Sequence, residues 1–341
     1  MYSISDGLRI SNYLSIHFNV KMIKDPYRRK FLEKLTWACA GSFLGPLPSL
    51  NATDKNKNNV NPIGLIIDAD TANEVDDAFA IARALVEPGF DIKGLCSAQW
   101  HTQAQAPNDS VGRSQQMNED LLALMGKSAI PHPMGSNTPM VSQLRAQPSP
   151  AARLIIEEAH KMPAGEKLTV LTLGPATNTA SALLLDPSIL PKLRCCYLGL
   201  WYNIEDQTWS KREFNTDNDP NALNVLLNTQ SLELEIMTAT ASKALIFDKK
   251  QVDQYFKGKG GVFDYLVTLW ENYDRFWQET DPEKKHWTMW DVAAIQALAK
   301  PQLCQKKKVI TPHDNFKREV IIYSQIDEKA MEADFWASFG V

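Results

Sequence analysis

Residues Pro62–Ile81 read PIGLIIDADTANEVDDAFAI, and the fold turns on this stretch. An apolar run, Ile63–Ile67, delivers Asp68, Asp70, Asp76 and Asp77 into one short turn, and a helical pattern begins at Ala78. A buried strand that empties into carboxylates at the C-terminal edge of a sheet sets them where open α/β folds bind ligands. Four like charges this close repel strongly unless a cation or shared protons neutralise them. The donors are hard oxygens with no Cys or His among them, which favours calcium or magnesium over zinc. A solvated acidic turn would account for one or two aspartates; four directly after a hydrophobic strand mark a site.

Outward from this stretch, strand-like and helix-like segments alternate. Strands are expected over Ile63–Ile67, Ile92–Ala98, Leu168–Leu173 and Cys195–Leu200. Helices are expected over Asp76–Val86, Arg113–Met125, Ala151–His160, Asn178–Leu185 and Pro220–Leu227, with Phe263–Phe276 and Val292–Leu298 making the last third more helical. Such alternation implies βαβ units, hence an open α/β fold whose mostly parallel sheet carries helices on both faces. Nothing after Asn61 breaks the composition, so 62–341 reads as one domain.

Ahead of it lie a polar linker at 53–61 and an N-terminal extension at 1–52. Arg28-Arg29-Lys30-Phe31-Leu32-Glu33-Lys34 precedes the charge-free stretch Leu35–Leu50, the pattern of a twin-arginine export signal. Gly41, Gly45, Pro46 and Pro48 make that stretch a poor membrane span, so the processed chain is expected outside the cytoplasm with no stable membrane insertion. An unstructured cytoplasmic leader is the alternative. A net charge of −4 argues against a nucleic-acid binder driven by phosphate contacts. The five cysteines have no metal-binding spacing, and vicinal Cys195 and Cys196 read as core. No Gly-rich phosphate loop or nicotinamide fingerprint is present, so no nucleotide cofactor is expected.

Four separated segments line up: DADTANEVDDAFAI, then LTVLTLGPATNTA at Leu168–Ala180, REFNTDNDPNA at Arg212–Ala222, and WDVAAI at Trp290–Ile295. In this order they resemble the inosine–uridine-preferring nucleoside hydrolases, calcium-dependent N-ribohydrolases of open α/β fold. The resemblance runs from about Ile63 to Leu298. It implies that Asp70 ligates calcium and serves as general base. It further implies that Asp77, the main-chain carbonyl of Leu173, and Asp291 complete the ligand set. Asp76, Glu213 and Asn215 would bind ribose hydroxyls, and Asp68 would orient the loop. On an extended segment Glu213 and Asn215, two apart, would share one face. The substrate would be a small ribonucleoside, and the assembly a homodimer or homotetramer.

The chain also departs from the family pattern. Ala72-Asn73-Glu74 replaces a tight glycine turn, so the chain resembles a divergent D-x-D-x-x-N-E-x-D-D branch, which implies that Asn73 faces the sugar. Gln99-Trp100-His101 stands where an Asn often touches ribose, and Trp290 stands where many members carry a His that protonates the leaving base. His286, one turn before Trp290 if the segment is helical, and His101 are the remaining candidates for that acid. Trp201, Trp209, Trp287 and Trp290 could wall a nucleobase pocket or could simply be core.

Two rivals compete with this reading. A phosphatase of the haloacid-dehalogenase type would make Asp68 the nucleophile and Asp70 the acid/base. It expects Thr or Val where Ala72 stands, and it leaves Asp76-Asp77 and the EFN segment unexplained. An exported nucleoside- or sugar-binding protein would keep the calcium cage with little catalysis; the intact Asp70 favours the enzyme.

Overall fold

The computed structural model describes residues 62–101, 106–273 and 281–341. The expected extension at 1–52, the linker at 53–61 and the end of the helix expected over Phe263–Phe276 lie outside the described residues.

Strand β1 (Ile63–Ala69) is buried along almost its whole length. That is why its sequence is a continuous apolar run rather than an alternating one. It feeds helix α1 (Asp76–Val86), which leads to β2 (Phe90–Ser97). Helices α2 (Ser110–Leu124) and α3 (Pro150–Lys161) precede β3 (Leu168–Thr172) and α4 (Thr177–Leu185). Next come β4 (Leu193–Leu198) and a hairpin of β5 (Trp201–Asn203) and β6 (Thr208–Ser210). The short α5 (Phe214–Asn218) and α6 (Pro220–Asn228) lead into β7 (Glu233–Met237) and α7 (Ala239–Ser242). A second hairpin pairs β8 (Ile246–Asp248) with β9 (His286–Thr288), and helices α8 (Lys249–Phe256) and α9 (Gly261–Asn272) lie between them in sequence. The chain ends in α10 (Trp290–Ala299), β10 (Cys304–Ile310), β11 (Glu319–Ile326) and α11 (Glu328–Ser338).

The main sheet has seven strands in the order β10-β11-β7-β4-β3-β1-β2. All neighbours pair in parallel except β10, which runs antiparallel on β11. From β1 the chain steps to β2 on one side and to β3 on the other, so the sheet's order reverses between β1 and β3. Crevices beyond the carboxyl ends of strands at such a reversal are where open α/β sheets bind ligands.

Buried residues of α3, α4 and α6, among them Ile155, Ala180, Leu183 and Leu226, pack with Ile66, Val170, Cys195, Leu234 and Ile322 of the strands into one core. A second, aromatic core is centred on Phe79 of α1. Its ring lies 6.0 Å from Trp270, 6.1 Å from Phe335, 6.2 Å from Phe256 and 6.5 Å from Phe247. Ring pairs at such separations add to area burial through their quadrupoles. This cluster ties α8, α9 and α11 to α1 and thereby fixes the helix that carries two of the site aspartates.

The expected alternation is present, with ends shifted by a few residues. The last third is less purely helical than its pattern suggests. It also supplies the buried strand β11 and the lysine-rich β10, which does not read as a core strand because it is an exposed edge. No helix among the described residues is long and apolar enough to cross a membrane.

Candidate active site

The loop from Asp70 to Val75 begins with a tight turn in which the Asn73 amide donates to the Asp70 carbonyl (2.7 Å). It ends at α1, which places Asp76 and Asp77 in its first turn without a side-chain cap. Helix α10 starts the same way, uncapped, with Asp291 in its first turn. The two helix starts meet: the Asp291 backbone N–H donates to Asp76 Oδ2 (3.1 Å). A carboxylate of one helix thus caps an orphan donor of the other. Carboxylate oxygens of Asp76, Asp77 and Asp291 all lie within 4.8 Å of one another, and all three residues are buried.

Asp70 adjoins this trio. Burial first, then the charge of Asp77, pushes its carboxyl well above the ordinary range. Burial and then Asp77 likewise raise Asp76 to about 8, and burial followed by Asp77 and Asp76 raises Asp291. Such a field favours bound protons, and a divalent ion would displace them and occupy the same place. The donor set fits such an ion. It is all oxygen, and Asp70 Oδ2 is a buried atom with no hydrogen-bond partner. Asn73, 5% exposed, likewise has a buried Oδ1 with no hydrogen-bond partner.

The end of β3 approaches the same place. The Leu173 and Gly174 amides both donate to the Asp68 carbonyl, at 2.8 and 3.4 Å. A Cβ on Gly174 would lie 2.9 Å from Asp70 Oδ1 and 3.0 Å from Asp70 Cβ, so only glycine fits there. The Leu173 carbonyl accepts from Asn215 Nδ2 at 2.5 Å, and the Leu198 carbonyl accepts from the same amide at 3.1 Å. Asn215 therefore bridges the ends of β3 and β4.

Glu213 and Asn215 do come together, but not as alternating positions of an extended segment. Glu213 is the extended N-cap of α5, and Asn215 lies in that helix's first turn. Glu213 Oε1 accepts from the Asn215 amide, while Oε2 accepts from the Thr216 amide and hydroxyl, each at 3.1 Å. Burial raises the Glu213 carboxyl and these donors pull it back down. The Leu200 amide adds a longer bond to Oε2 (3.4 Å) from a residue at φ 62°, a left-handed conformation that is strained for leucine.

Asp68 sits behind the site, fully buried, with Oδ1 accepting from Asn178 Nδ2 (2.9 Å). Burial raises its carboxyl to about 7. Asn178 Oδ1 in turn accepts from the Ser136 amide and the Ser149 hydroxyl, both at 3.0 Å. This linchpin was overlooked in the sequence, although it lies inside the GPATN segment already singled out.

Gln99 is a structural residue, its Nε2 donating to the Asn218 carbonyl (3.1 Å). His101 is exposed. His286 is not a helical turn from Trp290. It lies on strand β9, exposed, facing Asp248 (3.6 Å) and Asp281 (4.0 Å). Of the four tryptophans, Trp201 and Trp290 meet edge to face at 6.0 Å, directly beside Asp291. Trp287 is buried against Trp270 and Tyr273, and Trp209 packs on Tyr202.

The buried, all-oxygen carboxylate cluster thus lies at the reversal point of an open, mostly parallel sheet, with the Trp201–Trp290 pair next to it. The family model for inosine-uridine preferring nucleoside hydrolases matches residues 65–330, and the chain belongs to that family. It is an N-glycosyl hydrolase of the nucleoside ribohydrolase type. It is 24% identical over 264 residues to a probable uridine nucleosidase 2 of Arabidopsis thaliana, covering 70% of this chain and 78% of that protein. Its counterpart from Oryza sativa subsp. japonica is 25% identical over 262 residues, with 72% and 76% covered. Among solved structures, a plant nucleoside hydrolase, PpNRh1, superposes with a TM-score of 0.64 at 18% identity, over 81% of this chain and 98% of that one.

Proposed function

We propose that the chain hydrolyses the N-glycosidic bond of ribonucleosides, giving ribose and free base, with calcium held by Asp70, Asp77, Asp291 and the Leu173 carbonyl. The observation that carries this reading is the buried, partnerless Asp70 Oδ2 beside the buried trio of carboxylates. A bound calcium supplies Lewis-acid chemistry, lowering the pKa of a water and fixing the sugar diol. Asp70 removes the proton from the attacking water. Asp76 and Asn73 present oxygens to ribose hydroxyls, and Glu213 and Asn215 hold the far wall of the sugar site through the α5 cap. The surrounding carboxylates stabilise positive charge that develops on the anomeric carbon. The Trp201–Trp290 pair offers ring surface to the departing base.

The Arg28-Arg29 pair and the apolar stretch after it support export of the processed enzyme. N-terminal sequencing of the chain recovered from cell fractions tests that point.

The decisive experiment is hydrolysis of p-nitrophenyl β-D-ribofuranoside with and without calcium, beside Asp70→Ala. Calcium-dependent release lost in the variant is expected, by about 100- to 10,000-fold. Calcium binding without release by the wild type would overturn the reading.

A further inference from the structure

Helix α2 buries a polar stripe. Ser110, Ser114 and Asn118 recur at every fourth residue, so they share one face, and all three are fully buried. A helix ordinarily turns an apolar stripe inward. Burying two hydroxyls and an amide costs free energy unless they find hydrogen bonds, so the stripe requires a polar partner.

That partner is the chain that leaves the C-terminal ends of β1 and β2. The Ser110 hydroxyl accepts from the Trp100 amide (3.1 Å), just past β2. The Thr71 hydroxyl, itself fully buried, donates to Asn118 Oδ1 (2.6 Å). The Ala72 amide makes a longer bond to the Ser114 hydroxyl (3.5 Å). Thr71 and Ala72 are the two central residues of the turn that the Asn73-to-Asp70 bond closes. Its centre is therefore tied to α2 from the side. Its flanking residues, Asp70 and Asn73, each keep a buried side-chain oxygen with no hydrogen-bond partner. Oxygens left open in this way do not hold the loop, so the hold comes from α2. With Ala72-Asn73-Glu74 in place of a tight glycine turn, the loop needs such support from outside itself. Asn118 Nδ2 is also a buried donor with no partner. A pair kept for stability alone would close both ends of that amide, because buried polar groups are nearly always satisfied.

We propose that Asn118, with Ser114 beside it, is a positioning residue for the reaction: it sets the Asp70–Asn73 turn so that the open oxygens at the turn's two ends face the cation and the sugar. The proposal rests on the nucleoside-hydrolase reading for what occupies the site.

The test compares the full chain with Thr71→Val, Asn118→Leu, their double variant and Thr71→Ser. Calcium Kd is measured by isothermal titration calorimetry, kcat and KM on p-nitrophenyl β-D-ribofuranoside, and Tm by scanning calorimetry without metal. Thr71→Val and Asn118→Leu are each expected to weaken calcium binding and to lower kcat by about 10- to 100-fold. Thr71→Ser keeps the hydroxyl and is expected to match the wild type in both. The double variant removes both partners at once, so no group of that bond is left unmet, and it is expected to regain the Tm that the single variants lose. Its calcium affinity and kcat are expected to stay low. Losses that disappear together with the Tm deficit would mark a merely structural bond and overturn the proposal. An unchanged calcium Kd in the folded single variants overturns it too. Absence of p-nitrophenol release by the wild type would sink the hydrolase reading, and the calcium Kd values would still decide the positioning role.

Discussion

Asp68 shows how one buried carboxyl couples the site to pH. Its proton is held more tightly in the folded chain, with a pKa of about 7 against an ordinary 3.8. Its contribution to stability is therefore fully present below about pH 4 and is lost as pH rises through about 7. Asp68→Asn removes the titration while keeping an acceptor for Asn178. The expected outcome is a Tm raised by roughly 5 °C at pH 8 in the metal-free protein and little changed at pH 4, checked by calorimetry at the two pH values. Gly174 is the other telling residue. Gly174→Ala places a methyl within 3.0 Å of Asp70. Activity is expected to fall at least about 100-fold while the far-ultraviolet circular dichroism stays that of the wild type, because the carboxylate proposed as general base is displaced and the fold is not. Equal activity of the two proteins would show that Asp70 has room the geometry denies it.

At the scale of elements, the five-residue helix α5 is stabilised by its cap, since it is too short to stand on its own hydrogen bonds. Glu213→Ala deletes the acceptor for three backbone amides, those of Leu200, Asn215 and Thr216, and for the Thr216 hydroxyl. A loss of about 1–2 kcal/mol is expected, and with it a rise in KM as Asn215 loosens from the Leu173 carbonyl. Glu213→Gln keeps one good acceptor and is expected to fall between the two; denaturant midpoints and initial rates read both effects. An Ala variant as stable as the wild type would mean that the packing of Phe214 and Thr216 alone holds the helix. The starts of α1 and α10 have the opposite character. Each places an aspartate in a buried first turn, where the helix dipoles favour negative charge but the neighbouring carboxylates oppose it.

For the whole molecule, that opposition means that a bound cation would act on stability as well as on chemistry. Asp76, raised to about 8, costs stability as pH rises from about 4 through 8 in the absence of metal. Calcium bound to the folded state alone adds about 2.7 kcal/mol at a hundredfold excess over its Kd. The Tm is therefore expected to fall on adding a chelator at pH 8, and much less at pH 5, where protons already neutralise the cluster. A chelator effect that is equal at both pH values would remove the carboxylates from the ion's ligand set.

The sequence by itself determined the class of fold and singled out most residues of the candidate site. An apolar run ending in DAD, a helix opening on Asp76-Asp77, and an Asp before the apolar run of α10 are local patterns, and covalent neighbours suffice to read them. The tertiary structure decided which carboxylates share one space, because Asp76 and Asp291 meet only when two helix starts, far apart in sequence, are packed together. It also turned the Glu213–Asn215 pair from strand partners into a helix cap and its first turn, since the bonds that close that turn form against β3 and β4. It moved His286 onto a strand, and it separated two core or hairpin tryptophans from the Trp201–Trp290 pair. Burial and long-range contact decide such placements, and neither is written in the order of residues along the chain.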